Sequence, residues 1–154
     1  MVKELLVGDK APNFELLADG GDLIRMESLL GKSVILYFYP KDDTSGCTKE
    51  AIEFTRLSGK FDKLGAVVIG VSKDDVKTHD KFVKKHKLGV RLLSDIEGDL
   101  CESYGVWVEK SMYGRKYMGI ERATFLINAD GLIEQIWRKV KVAGHGEAVL
   151  DAIK

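Results

Sequence analysis

The stretch YFYPKDDTSGCTKEAIEF, residues 37–54, decides how this chain is read. It opens inside an apolar run, 33–39, with the length and composition of a buried strand. Pro40 has no N–H to give to a ladder and ends that strand. A polar turn, 41–46, leads to Cys47 and Thr48, and a helical pattern runs from Lys49 to Phe61. Ala51, Phe54, Leu57 and Phe61 recur on it at helical spacing. One cysteine therefore stands where a strand hands over to a helix. The first turn of a helix has free N–H groups and the positive end of the dipole. Thiolates are stabilised there, and cysteines in such sites have pKa values of roughly 3.5–7.5 against about 8.5 for a free thiol. The competing reading is an inert buried thiol, the common fate of an unpaired cysteine. The polar turn just before the helix favours the reactive one.

Outward from this stretch, the chain alternates strands and helices. Residues 1–12 form an arm, 14–17 a short strand, 18–22 a turn, and 23–26 a strand that pairs back as a hairpin. Ser28 is expected to cap a short turn stopped by Gly31. After the cysteine helix, which Ser58-Gly59 is expected to bend, Gly65 precedes a second apolar strand, AVVIGVS at 66–72. Asp74 or Asp75 caps a helix at 76–86. A short strand at 90–93 and a short helix at 98–104 carrying Cys101 follow. Extended arms at 106–108 and 113–118 flank Gly114. ATFLIN at 123–128 reads as a third core strand, turned by 128–131 into a return strand at 132–140, and 147–153 is the last helix. Apolar strands joined through helices call for crossovers and a parallel pair; the closing hairpin adds antiparallel strands.

The bulk numbers are consistent with this. A chain of 154 residues is most simply one domain, 1–154. With 24 basic and 24 acidic side chains, it lacks the basic excess that nucleic acid or an anionic membrane would call for. No run of about 18 apolar residues exists to span a membrane, and the N-terminal apolar run is too short for a signal peptide. Two cysteines 54 positions apart make neither a disulfide framework nor a zinc site. The simplest compartment is the reducing cytoplasm. The neutral, mixed surface fits a monomer.

Pro40, Thr44 and Cys47 in PKDDTSGC fit the P-x-x-x-T-x-x-C signature of peroxiredoxins. YFYPK at 37–41 and GCT at 46–48 resemble the bacterioferritin-comigratory (BCP/PrxQ) branch, as do GDKAPNF at 8–14, LSD at 93–95, YGVW at 104–107 and GIER at 119–122. The resemblance covers nearly the whole chain. It implies an α/β thioredoxin-like fold: a central mixed sheet flanked by helices, with an N-terminal hairpin and a peroxiredoxin-type insertion near 100–120. It also implies a thiol-dependent peroxidase acting on hydrogen peroxide and alkyl hydroperoxides, with no metal or organic cofactor.

An ionised sulfur alone would not make a peroxidase. Lowering a thiol pKa from about 8.5 to about 6 raises the thiolate fraction some ~30-fold at neutral pH, while nucleophilicity falls roughly tenfold. The acceleration must come from groups that hold the peroxide and stabilise the departing oxygen. Thr44 is one candidate: its hydroxyl can donate to one peroxide oxygen and accept from another group. By itself it reads as an ordinary turn threonine; the resemblance turns it towards the substrate. Arg122 heads the strand at 123–128 in a pattern matching the family's active-site arginine, and beside Cys47 it would favour the thiolate and bind the peroxide oxygens. Alone it reads as a surface arginine at a strand edge. Pro40 shields the site and sets the turn. Asp42-Asp43 reads as a solvated turn. His79 and His86 are expected to face solvent, and His145 to belong to the last helix's start; none has metal spacing. Trp107 and Trp137 read as packing residues, with Trp107 a candidate for the rim.

Two departures from the family pattern matter. Relatives carry a resolving cysteine five residues after the first, where Ile52 stands here, or on the next helix, where Val83 stands. The other thiol, Cys101, reads as a buried helical cysteine. A one-cysteine cycle follows, with thioredoxin, glutaredoxin or glutathione as external reductant; a Cys47–Cys101 disulfide is the alternative. Ser45 replaces the proline usual in close relatives, which leaves the turn looser. A thiol–disulfide oxidoreductase on the same scaffold is a further reading, although Thr44 stands where its first sulfur would be. A binding module with an incidental cysteine is another.

Overall fold

The computed structural model describes residues 4–153. In chain order the strands and helices are β1 (Glu15–Leu17), β2 (Leu23–Arg25), β3 (Ser33–Phe38), α1 (Ser45–Lys63), β4 (Ala66–Ser72), α2 (Val76–His86), β5 (Arg91–Ser94), α3 (Leu100–Ser103), β6 (Trp107–Met112), β7 (Arg115–Ile120), β8 (Ala123–Ile127), β9 (Ile133–Trp137) and α4 (His145–Ile153). The apolar run before Pro40 becomes β3, the middle of a five-stranded sheet ordered β5-β4-β3-β8-β9. β3, β4 and β5 run parallel through the crossovers α1 and α2. β8 returns antiparallel to β3 and forms a hairpin with β9.

Side chains alternate across a strand, and on β3 this divides the core in two. Val34, Leu36 and Phe38 face one layer, where Phe14, Met26, Cys101, Tyr104, Val106 and Phe125 pack. Ile35, Tyr37 and Tyr39 face the other, under α1 (Cys47, Ala51, Phe54, Leu57, Phe61), α2 (Phe82) and α4 (Val149, Leu150). The buried stripe of α1 is thus the helical spacing seen in the sequence. Phe54 stacks on Tyr37 with ring centroids 4.7 Å apart.

Several boundaries shift. The turn before β3 is a 3-10 helix, Met26–Leu29, entered at Arg25; Ser28 does not cap it but donates back to the Arg25 carbonyl at 2.7 Å. α1 runs continuously through Ser58-Gly59. Asp75, rather than Asp74, caps α2 by accepting from the Thr78 N–H at 2.8 Å. The arms around Gly114 are a full antiparallel hairpin, β6–β7. Its two-residue turn needs positive φ at both positions, and Tyr113 and Gly114 take +54° and +78°. α4 begins at His145, two residues before the expected start. Residues 1–3 of the predicted arm lie outside the described residues. The rest of the arm docks on β9 through Gly8 and Asp9, which bond to Ile133, and on the turn before it through the Ala11 N–H, which donates to Gly131. No helix among the described residues is long and apolar enough to cross a membrane.

Phe54 is fully buried against Tyr37 and Phe61. Truncating it to alanine should cost about 3–5 kcal/mol, read as a lower urea midpoint with an unchanged slope.

Candidate active site

α1 starts at Ser45, inside the expected polar turn and four residues before the expected helical pattern, so Cys47 is its third residue. Thr44 is the extended N-cap residue, but its side chain does not cap. Its hydroxyl donates to the Lys41 carbonyl at 2.9 Å, closing the turn on itself. Its own carbonyl accepts from the Thr48 N–H at 2.9 Å. The first-turn N–H groups therefore have no side chain folded over them, and their partial positive charge faces outward beside the sulfur. Pro40 makes the bend just beyond β3, where the Tyr39 N–H makes a last bond to Val71.

Arg122 comes to this point by sheet register. Phe38 pairs with Ala123, so the residue before β8 falls opposite the end of β3. Its Nη2 donates to Cys47 Sγ at 3.4 Å and its Nη1 to Glu50 Oε1 at 2.6 Å. Gly46 permits this approach, because a Cβ there would lie 3.1 Å from Arg122 Nη2. Cys47 is 1% exposed, Glu50 2%, while Thr44 lies in solvent and Gly46 is half-buried.

Sequence reasoning assigned Glu50 no role. Its signal was there: three residues after Cys47, it shares the buried stripe with Ala51 and Phe54. Burial drives its carboxyl up to about 7, with Arg122 pulling the other way. Its Oε2 has no hydrogen-bond partner among the described residues, so burial of its charge is only half compensated. Lys110 on β6 was also missed. Its stem crosses Gly119. Burial, then the like charge of Arg122, lowers its pKa, with Cys47 and Glu121 opposing. His145 is the first residue of α4 and is turned inward, with Nε2 2.8 Å from Thr124 Oγ1; burial and then Arg122 push it down to about 4, so it is neutral. Trp107 lies under the Lys73 ammonium, 5.1 Å from the ring centre, and Trp137 packs edge-on against His145.

Two expectations are overturned. His79 does not face solvent: it is fully buried, with Nδ1 2.6 Å from Asp42 Oδ2. Asp42 is likewise buried rather than solvated, and only Asp43 is exposed, where it meets Lys85 and His86. The cause is packing: α2 lies against the turn, and its inner face includes position 79. Asp42, Asp74 and His79 bring one donor atom each within 4.8 Å of one another. Each such atom is already engaged in a hydrogen bond within the cluster, so they hold the turn rather than an open cation site.

Cys101 sits in the opposite core layer, across the sheet from Cys47. The N–H groups of Leu100 and Cys101 donate to the Asp95 carboxylate. Burial, then that carboxylate, raises the Cys101 thiol pKa far above its ordinary value.

The chain matches the model of the AhpC/TSA family over residues 7–136. It is 54% identical to a putative peroxiredoxin bcp of Coxiella burnetii over 139 residues, covering 90% of this chain and 92% of that one. It is 47% identical to the peroxiredoxin Bcp of Bacillus subtilis over 148 residues, covering 96% and 94%. A structure of the Xanthomonas campestris bacterioferritin comigratory protein, described for its alkyl peroxide reduction activity, superposes with a TM-score of 0.87 at 46% identity, over 91% of this chain and 89% of that one. A cysteine-to-serine mutant of Xylella fastidiosa PrxQ superposes with a TM-score of 0.93 at 39% identity, over 98% and 96%.

Glu50→Gln should keep an acceptor for Arg122 and remove the titration. A buried acid raised from 4.5 to about 7 takes up a proton on folding between those values, so its charge weakens the fold as pH rises. The stability of the variant relative to wild type should therefore climb from about pH 4.5 to about pH 7 and then level off, measured by urea unfolding across that range.

Proposed function

The chain belongs to the AhpC/TSA family, in the Bcp/PrxQ branch of peroxiredoxins, and from that membership we propose that Cys47 is the sulfur that reduces hydroperoxides. It is a thiol peroxidase on the thioredoxin-like α/β fold that the resemblance implied. The observation that carries the assignment of Cys47 is the Arg122 contact: a buried sulfur at a helix start with a guanidinium donor 3.4 Å away.

The Cys47 thiolate attacks the near oxygen of the hydroperoxide. An S–O bond forms as the O–O bond breaks, the far oxygen leaves as water or alcohol once it takes a proton, and Cys47 becomes a sulfenic acid. Arg122 faces both sulfur and incoming oxygens, so the charge moving along the S–O–O line stays beside one guanidinium. Glu50 holds that guanidinium from the other side. Thr44 has its one hydroxyl hydrogen on the Lys41 carbonyl, so towards a peroxide it acts as an acceptor, orienting the O–H. Pro40 sets the bend that brings the turn over the sheet end. The alkyl peroxide activity described for the Xanthomonas campestris relative supports alkyl hydroperoxides as substrates here.

Regeneration runs through an external thiol. That thiol attacks the sulfenic sulfur, water leaves, and a second thiol releases Cys47 from the mixed disulfide. What supports this is the separation of the two cysteines by the central sheet, and the buried, carboxylate-facing setting of Cys101.

Cys47→Ser should abolish stoichiometric consumption of hydrogen peroxide and of cumene hydroperoxide, while Cys101→Ser should retain it within about threefold. Mass spectrometry after one equivalent of peroxide should find oxygen added on Cys47. Wild-type consumption by Cys47→Ser protein would remove the assignment, and a Cys47–Cys101 disulfide would remove the one-cysteine cycle.

A further inference from the structure

Under the turn that delivers Cys47 lies a buried ionic couple. Asp42 Oδ1 accepts from the Tyr39 hydroxyl at 2.5 Å, and Oδ2 faces His79 Nδ1 at 2.6 Å. The other ring nitrogen, Nε2, is 2.9 Å from the Leu93 carbonyl oxygen on β5. A carbonyl oxygen only accepts, so Nε2 carries a hydrogen. The contact to the carboxylate needs one further hydrogen between the two groups, and the imidazole, by its ordinary value the more basic of them, holds it on Nδ1. With acceptors at both nitrogens the ring is an imidazolium and Asp42 its counter-ion. His79 thus joins three elements: α2 bears it, β5 accepts from one nitrogen, and the active-site turn is gripped by the other.

The grip continues around it. Asp74, between β4 and α2, accepts from the Asp42 N–H at 2.8 Å and from the Ser72 hydroxyl at 2.7 Å. The next turn residue, Asp43, takes Lys85 and His86, both on α2. Asp43 itself has φ of +61°, a conformation a non-glycine residue keeps only where its surroundings hold it. Replacing a buried ion pair with apolar residues is often neutral or stabilising, so stability alone does not account for this one. What the pair supplies is direction: a short, charge-assisted bond fixes the position of Asp42, five residues before the sulfur.

We propose that His79 is a positioning residue for the chemistry of Cys47, gripping Asp42 from α2 so that the turn, the start of α1 and hence Sγ meet Arg122 in reacting geometry. The inference rests on Cys47 being the peroxide-reducing sulfur.

The charge on the ring gives a signature. Burial opposes it, but Asp42, then the Leu93 carbonyl and Asp74, outweigh burial and hold the His79 pKa above its ordinary 6.5. Asp75, at the N-cap of its own helix, is a further acid within its field. The pair's stabilisation is complete below about pH 6.5, the unfolded value, and is lost as pH rises through the folded one. The grip therefore loosens on the alkaline side.

Asparagine and glutamine divide the two contacts. The Asn amide nitrogen reaches the Nδ1 position and keeps Asp42; the Gln amide reaches the Nε2 position and keeps Leu93. Wild type should lose rate with hydrogen peroxide on the alkaline side; His79→Asn should hold that rate constant within about threefold of wild type at pH 7 and lack the alkaline fall. His79→Gln should drop that rate about tenfold or more, even where the two variants melt at the same temperature. Equal rates and pH profiles in all three proteins, or losses that follow melting temperature alone, would overturn the proposal. Nitrogen NMR of wild type should show both His79 ring nitrogens protonated at pH 6, below the ordinary 6.5; a neutral ring there overturns it without any variant having to fold. Alkylation of Cys47 by iodoacetamide, run on the same proteins, reports the turn independently of peroxide. A failure of the peroxidase reading is thereby told apart from a failure of this one.

Discussion

One guanidinium between a sulfur and a buried carboxylate is the contact on which the rest of the structure depends. It needs three things to coincide. The register of β8 on β3 must put Arg122 opposite the end of β3. α1 must begin soon enough after Pro40 that Cys47 lies in its first turn and Glu50 in its second. Residue 46 leaves room for the guanidinium, since a Cβ there would stand 3.1 Å from Nη2 and the guanidinium would have to give way. Each condition comes from a different level of organisation: strand pairing, helix initiation and a single missing side chain.

The charges gathered there would be costly in a core made only of hydrocarbon. Glu50 is almost wholly buried, and without Arg122 its charge would be uncompensated. In the proposed reaction Arg122 gains from this setting, because its pull on developing charge grows as the surroundings lose polarity. The site stays partly open, with 17% of the Arg122 side chain reaching solvent. A second buried pair, Asp42 with His79, lies below the turn. Arg122 meets Cys47 from the sheet end, and His79 meets Asp42 from α2.

The parity of β3 separates the two thiols. Odd positions from Ile35 face α1 and Cys47; even positions from Val34 face Cys101. A one-residue slip in strand register would reverse those faces, which is why the hydrophobic pattern protects the arrangement so firmly. The two sulfurs thus lie on opposite sides of the sheet, and the external-thiol cycle proposed above draws its support from that separation.

Much of this was legible before folding. Strand, proline, polar turn, cysteine and helix stand consecutively in 33–61, and local rules suffice to read them: period two, then period 3.6, with a breaker between. The same rules placed β4 and α2 to the residue. Arg122 was legible as a motif, but its 3.4 Å contact is a product of strand pairing. Glu50 sat in plain view on the cysteine face of α1, yet a charged residue in an apolar stripe reads as surface until the guanidinium that accepts it is known. His79 and Asp42 were misread for the same reason. Each looks polar and solvent-bound alone, and only packing α2 against the turn, 37 residues away in sequence, gives each the partner that makes burial tolerable. The sequence by itself determined where the sulfur proposed to react, Cys47, stands along the chain. The tertiary structure decided which charges surround it, because a buried charge is acceptable only beside a partner, and partners distant in the chain meet only on folding.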